Sequence, residues 1–214
     1  APGDRPAFWA VTGRLGGHSA GDYFQANIAQ HVGDDPHSVS RNLEDLAGLV
    51  HIQGRDLALM QPVHGNSIGR VAHPGIVPGV DSLVSDQFHV GLVAMGADCV
   101  PLILYGSRGI EKPIIGAIHC GWKGLVAGVV TATITELRLR GVSEIQSVVG
   151  PAICGSCYSV SQDRRELVRT STPVDVSEAA LGISGGIDVR AGVLSQLARE
   201  SVSSIVVGGC TFEN

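Results

Sequence analysis

No apolar run in this 214-residue chain is long, and that bounds what it can fold into. Leu57–Met60, Gly91–Met95, Val100–Tyr105, Ile114–His119 and Ile145–Val149 are each stopped by glycine, proline or polar residues. A bilayer span needs about 18 apolar residues in succession. The longest charge-free stretch, Ile145 to Gln162, is broken by Gln146, Pro151 and several serines. Runs this short read as strands, and Phe8–Leu15, Ser67–Ala72 and Ser204–Val207 extend the set. Glycine fills 29 positions, about twice the usual ~7%, in keeping with many tight turns.

Helical spacing interrupts the strand pattern in three places. Pro36 opens one segment reaching Val50, with Val39, Leu43 and Leu46 on one side. A second starts near Lys123, with Val126, Val130, Ile134 and Leu137 at helical intervals and Gly141 as the stop. Asp188 is suited to cap a third, whose inner face carries Val193, Leu194 and Leu197. Without strict strand–helix alternation, the reading is α/β or α+β with mixed sheets. No repeat or linker-like shift divides the chain, so it reads as one domain, 1–214.

Fifteen basic against 20 acidic residues give a net charge of -5, and no Lys/Arg cluster marks a nucleic-acid face. The start, Ala1-Pro2-Gly3-Asp4-Arg5, lacks the apolar core of a signal peptide. Five irregularly spaced cysteines do not form a secreted disulfide framework. A cytoplasmic protein with reduced thiols, no membrane contact and no nucleic-acid partner is expected.

Several short motifs fail on inspection. Gly17-His18-Ser19-Ala20-Gly21 fits a nucleophile elbow, yet it lies too early in the chain for an α/β-hydrolase. Gly116 to Gly121 has phosphate-loop spacing, but Trp122 stands where lysine must follow. Cys154 and Cys157 supply only half of a structural zinc set and read as incidental thiols near a turn.

Three other segments place ligand-type side chains at the ends of strand-like runs: Val63-His64-Gly65, Ala97-Asp98-Cys99-Val100-Pro101 and His119-Cys120-Gly121-Trp122-Lys123-Gly124. Two imidazoles and one thiolate leave a tetrahedral metal an open position, as catalytic zinc requires. Singly, each residue also reads as structural: Cys99 as a small buried hydrophobe, His64 and His119 as hydrogen-bonded turn residues. Asp98 and Cys99 point to opposite faces of a regular strand, so both serve one site only across a bend. Asp98 is a candidate to orient a metal-bound histidine.

Together these segments resemble the laccase-domain family, the YfiH-like proteins labelled polyphenol oxidases and understood as purine nucleoside phosphorylases. Gly150-Pro151-Ala152-Ile153 with Tyr158 continues the pattern. So does an N-terminal signature of Thr12, Arg14, Gly16-Gly17, Ser19, Tyr23, Asn27, His31 through Pro36, and Asn42. Asp188-Val189-Arg190 and Cys210-Thr211 resemble its closing elements. The resemblance implies an α/β/β/α layered domain with His64, Cys99 and His119 as zinc ligands, copper being the second choice of metal. It implies phosphorolysis of adenosine, inosine, guanosine or S-methyl-5'-thioadenosine, with adenosine deamination as an associated activity. Cys99, Asp98, His64 and His119 would be the catalytic set, Asp98 carrying the proton. Arg14, Ser19, Asn27 and Lys123 would bind nucleoside and phosphate.

The chain departs from the family pattern at Pro62, which separates Gln61 from the Val-His-Gly segment. It also departs at Lys123, where arginine is commoner, and at Cys120, usually alanine. Asn214 precedes the point where relatives run on through two arginine-bearing segments, so the domain is expected to be shortened at this end. Rival readings are a copper-dependent polyphenol oxidase, a metal-free cysteine hydrolase with Cys99 as nucleophile and His119 as base, and a nucleoside-binding protein without turnover.

Overall fold

The computed structural model describes residues 7–109 and 112–213. Two sheets lie between helical layers, giving the α/β/β/α order. The smaller sheet is parallel, in the order β3-β1-β5 (β1 Leu57–Gln61, β3 Gly75–Pro78, β5 Gly91–Val93). The larger is mixed, in the order β2-β4-β7-β6-β8-β9. Its strands are β2 Ile68–Arg70, β4 Ser82–Ser85, β6 Val100–Ser107, β7 Ile114–Cys120, β8 Glu144–Val149 and β9 Ser203–Val206.

One outer layer is α1, Pro36–Gly48. Asp35 caps it, accepting the Ser38 N–H at 2.9 Å, and Pro36 supplies a preset φ at its first position. Val39, Leu43 and Ala47, four residues apart, bury one face against Leu57, Leu59 and Val93. Between the sheets, Ala58 and Met60 pack with Val71, Leu83 and Ala117. The other outer layer holds α2 Trp122–Ala127, α3 Val129–Leu139, α4 Gln162–Ser171, α5 Val174–Leu181 and α6 Val189–Arg199. These helices cover Val100, Leu102, Leu104, Ile114 and Ile118, all fully buried. Each such side chain contributes about 1.5–3 kcal/mol by leaving water, so this layer fixes the β6–β7 pair firmly.

The helix expected from Lys123 to Gly141 is two helices. Gly128 adopts φ 74°, which breaks the first and starts the second at a new angle. Asp188 caps α6 as expected, accepting the Ala191 N–H at 2.8 Å. Phe8–Leu15, expected as a strand, is irregular chain in the structure. The short β3 and β4 were not anticipated. Among the described residues, no helix is long and apolar enough to cross a membrane.

Candidate active site

Strand pleating sets the site. β6 and β7 run antiparallel with Pro101 opposite His119 and Val100 opposite Cys120. Alternation sends Val100, Leu102, Ile118 and Cys120 toward the helices. The same alternation sends Cys99 and His119 to the opposite face, where both line the cleft between the layers. Cys120, one of the departures from the family pattern, lies wholly buried on the helix side, where burial holds it protonated.

His64 arrives from the loop after β1, with its backbone at φ 61°. Its ring meets that of His119 edge to face, centroids 4.9 Å apart. The ligand atoms of His64, Cys99 and His119 all lie within 4.8 Å of one another. Small side-chain rotations bring such a set to the ~2.0–2.3 Å bonds zinc makes with nitrogen and sulfur. Gly121 leaves the space this requires: a Cβ there would stand 2.8 Å from Cys99 Sγ and 3.1 Å from His64 Cδ2. The donor set and its cradle therefore fit a single transition-metal ion with an open coordination position.

The organising residue of the site is Asp81, which lies immediately before β4 and is fully buried. Its carboxylate accepts N–H groups from Val63, His64 and Gly65 at 3.2, 2.9 and 2.8 Å. The same carboxylate pairs with His119 Nδ1 at 3.0 Å, and the Asp81 carbonyl accepts the His119 N–H at 2.8 Å. One side chain thus holds two of the three candidate ligand residues and leaves His119 Nε2 open to a metal. Burial pushes His119 below the ordinary histidine range, the neighbouring His64 adding to this, while Asp81 opposes it. The neutral imidazole is the form that binds metal. Burial, reinforced by Asp98 and Asp81, raises the Cys99 thiol. A raised thiol is a poor unassisted nucleophile, which weighs against the metal-free hydrolase.

Asp98 does not perform the orienting task. It is exposed; its Oδ1 accepts the Thr211 hydroxyl at 2.8 Å and its carbonyl accepts the Ile153 N–H at 3.0 Å. Arg14 and Asn27 line the cleft with His64, Cys99 and His119, as do Phe8, Trp9 and Phe24. The structure does not bring Ser19 or Lys123 to this lining. Ser19 is 4% exposed and its hydroxyl accepts the Asn42 amide at 3.0 Å, so it is not a presented nucleophile. Lys123 is exposed, its ammonium 5.8 Å from the Trp122 ring. Asn42 of α1 is a hub: it also donates to the Asn27 carbonyl at 2.7 Å and accepts the His18 N–H at 2.7 Å. It thereby shapes the wall that carries Arg14.

Two layered sheets with this His/Cys/His cluster at their strand ends define a laccase-domain protein of the YfiH type. Residues 8–214 match the family described as multi-copper polyphenol oxidoreductase laccase, and the chain belongs to it. A purine nucleoside phosphorylase of Streptomyces griseus is 35% identical over 221 aligned positions, spanning 100% of this chain and 88% of its own. One from Streptomyces coelicolor is 36% identical over 204 positions, covering 92% and 81%. A Neisseria meningitidis protein of solved structure superposes with TM-score 0.76 at 31% identity, covering 92% of this chain and 81% of its own. The YfiH protein of Bacillus licheniformis has the same fold, with TM-score 0.81 at 24% identity over 92% of this chain and 80% of its own.

Proposed function

We propose that this protein is a metal-dependent purine nucleoside phosphorylase acting at His64, Cys99 and His119. Its substrates are adenosine, inosine, guanosine or S-methyl-5'-thioadenosine, with adenosine deamination as a second activity. The observation that carries the reading is the convergence of those three donors in the lining of an open cleft. The names of the Streptomyces relatives support the reaction class.

In phosphorolysis a phosphate oxygen bonds to C1′ while the bond from C1′ to the purine nitrogen breaks. The base departs with the electron pair and gains a proton, leaving ribose 1-phosphate. When bound, a zinc ion supplies a Lewis acid for the negative charge that develops. The exposed rings of Phe8, Trp9 and Phe24 offer flat apolar surface for the purine. Arg14 provides a cation for phosphate on the same wall. Asp98, held on one oxygen by Thr211, carries the proton. The same open position would present water to adenosine when phosphate is absent. A thiol ligand that must stay reduced suits a cytoplasmic setting.

Copper-dependent phenol oxidation is the second reading, because two imidazoles and a thiolate are also a copper donor set. Among the described residues, however, the metal-type groups are this trio and a sulfur-rich cluster elsewhere. Neither adds the paired histidines that multicopper chemistry uses.

The test is incubation of the zinc-loaded protein with each nucleoside, with and without phosphate, followed by chromatography. Phosphate-dependent release of free purine is expected, and it should vanish in Cys99→Ala. Absence of purine release with every nucleoside overturns the reading. Inosine formed from adenosine without phosphate identifies the deaminase arm, and oxygen uptake with a phenol by copper-loaded protein would favour the oxidase.

A further inference from the structure

We propose that Cys154, Cys157, Cys210 and Glu213 form a second metal site, a structural zinc centre that closes the end of the described chain onto the loop after β8. This inference does not depend on the nucleoside reading. Taken alone, Cys154 and Cys157 are half a site, and the fold supplies the other half.

The loop folds back on itself at these residues: the Cys157 and Tyr158 N–H groups both donate to the Cys154 carbonyl, at 3.1 and 2.9 Å. That turn carries Cys154 and Cys157 toward a common point. Beyond β9, the chain returns alongside Ala152, which bridges to Cys210 in parallel fashion, with the Thr211 N–H donating to the Ala152 carbonyl at 3.2 Å. The Cys154 N–H donates to Cys210 Sγ at 3.3 Å, across 56 positions of sequence. Cys157 Sγ donates to Glu213 Oε1 at 3.5 Å. The three sulfurs and the carboxylate all lie within 4.8 Å of one another, in a group separate from His64, Cys99 and His119.

Three thiolates and one carboxylate complete a tetrahedron without leaving a position for substrate. Soft sulfur ligands select zinc over hard cations, and a closed four-ligand set is the structural form of the site. Zinc binds these sulfurs as thiolates, so its uptake displaces whatever protons they carry. The arrangement also reaches the active site. Thr211, between two of the proposed ligands, holds Asp98 by its hydroxyl, and Ile153, beside another, holds the Asp98 backbone. A metal here would fix the position of Asp98 next to Cys99.

The experiment is cobalt titration of the reduced full chain, following thiolate-to-cobalt charge-transfer absorption. Two equivalents per chain are expected. His64→Ala/His119→Ala should retain the more intense, three-sulfur equivalent, and Cys154→Ser/Cys157→Ser should lose it. A serine variant that keeps the parent's circular dichroism and still takes two equivalents overturns the proposal. A folding-independent measurement uses the unaltered protein: zinc should protect Cys154, Cys157 and Cys210 from iodoacetamide, read peptide by peptide by mass spectrometry. Equal alkylation with and without zinc, or a disulfide among these three that persists under the reducing conditions used, overturns it as well.

Discussion

Asp81 and His119 meet twice, side chain to side chain at 3.0 Å and main chain to main chain at 2.8 Å. The doubled contact fixes the imidazole's tautomer and its height above the sheet together. Asp81→Asn puts an amide where the carboxylate now accepts four N–H groups. Zinc affinity at the trio is expected to fall about 10–100-fold, the usual cost of losing such a partner. Chelator competition measures it, in a Cys154→Ser/Cys157→Ser background so that only this site reports.

Gly121→Ala tests the cradle. The added methyl stands 2.8 Å from Cys99 Sγ, so the thiol must move by several tenths of an ångström or more. Displacement of a reacting group by about 1 Å costs roughly 100-fold in rate. A loss of kcat/KM of that order is expected with the circular dichroism spectrum unchanged. Undiminished turnover would mean that Cys99 is not where the chemistry happens.

The pH response follows from the two perturbed groups. With the Cys99 thiol above its ordinary value, the metal-free protein holds that proton at neutral pH and must release it on binding. Zinc affinity is therefore expected to rise about tenfold per pH unit between pH 7 and 8. His119 works in the other direction along the scale. Its lowered value keeps the native ring neutral at pH values where the unfolded chain is protonated, below about 6.5. Its contribution to metal-free stability is fully present above that value and is lost as pH falls toward the lowered native one. Urea unfolding at pH 7.0 and 5.5 should show the loss, and His119→Asn should lessen it.

Asn42→Ala removes the hub of the N-terminal wall. The His18 N–H loses its acceptor and the Ser19 and Asn27 oxygens lose a donor. A stability loss of about 1–3 kcal/mol is expected, measured by denaturant midpoint. Because the wall carries Arg14 rather than the metal ligands, KM for phosphate should rise while zinc content holds.

Much of this site is legible in the sequence because its candidate ligands end strand-like runs and fall in an ordered family pattern. Asp81 left no such trace: a lone aspartate between Val80 and Ser82 has no local periodicity, and its partners lie 16 to 38 positions away. The strands flanking it were missed for a related reason. Pro74, Gly75, Pro78 and Gly79 make β3 look like turn sequence, and only pairing with β1 makes it a strand. Phe8–Leu15 errs the opposite way, with strand-like composition but no place in either sheet. Cys154 and Cys157 looked incidental because their companions stand at the far end of the chain.

The pairing of Pro101 with His119 makes the β6–β7 ladder an alignment gauge for the chemistry. Sliding β6 by a single residue would turn Cys99 into the oily layer beneath the helices and offer Val100 to the metal instead. The leucines and isoleucines packed under that ladder, remote from any substrate, are thus what keep sulfur and imidazole on speaking terms.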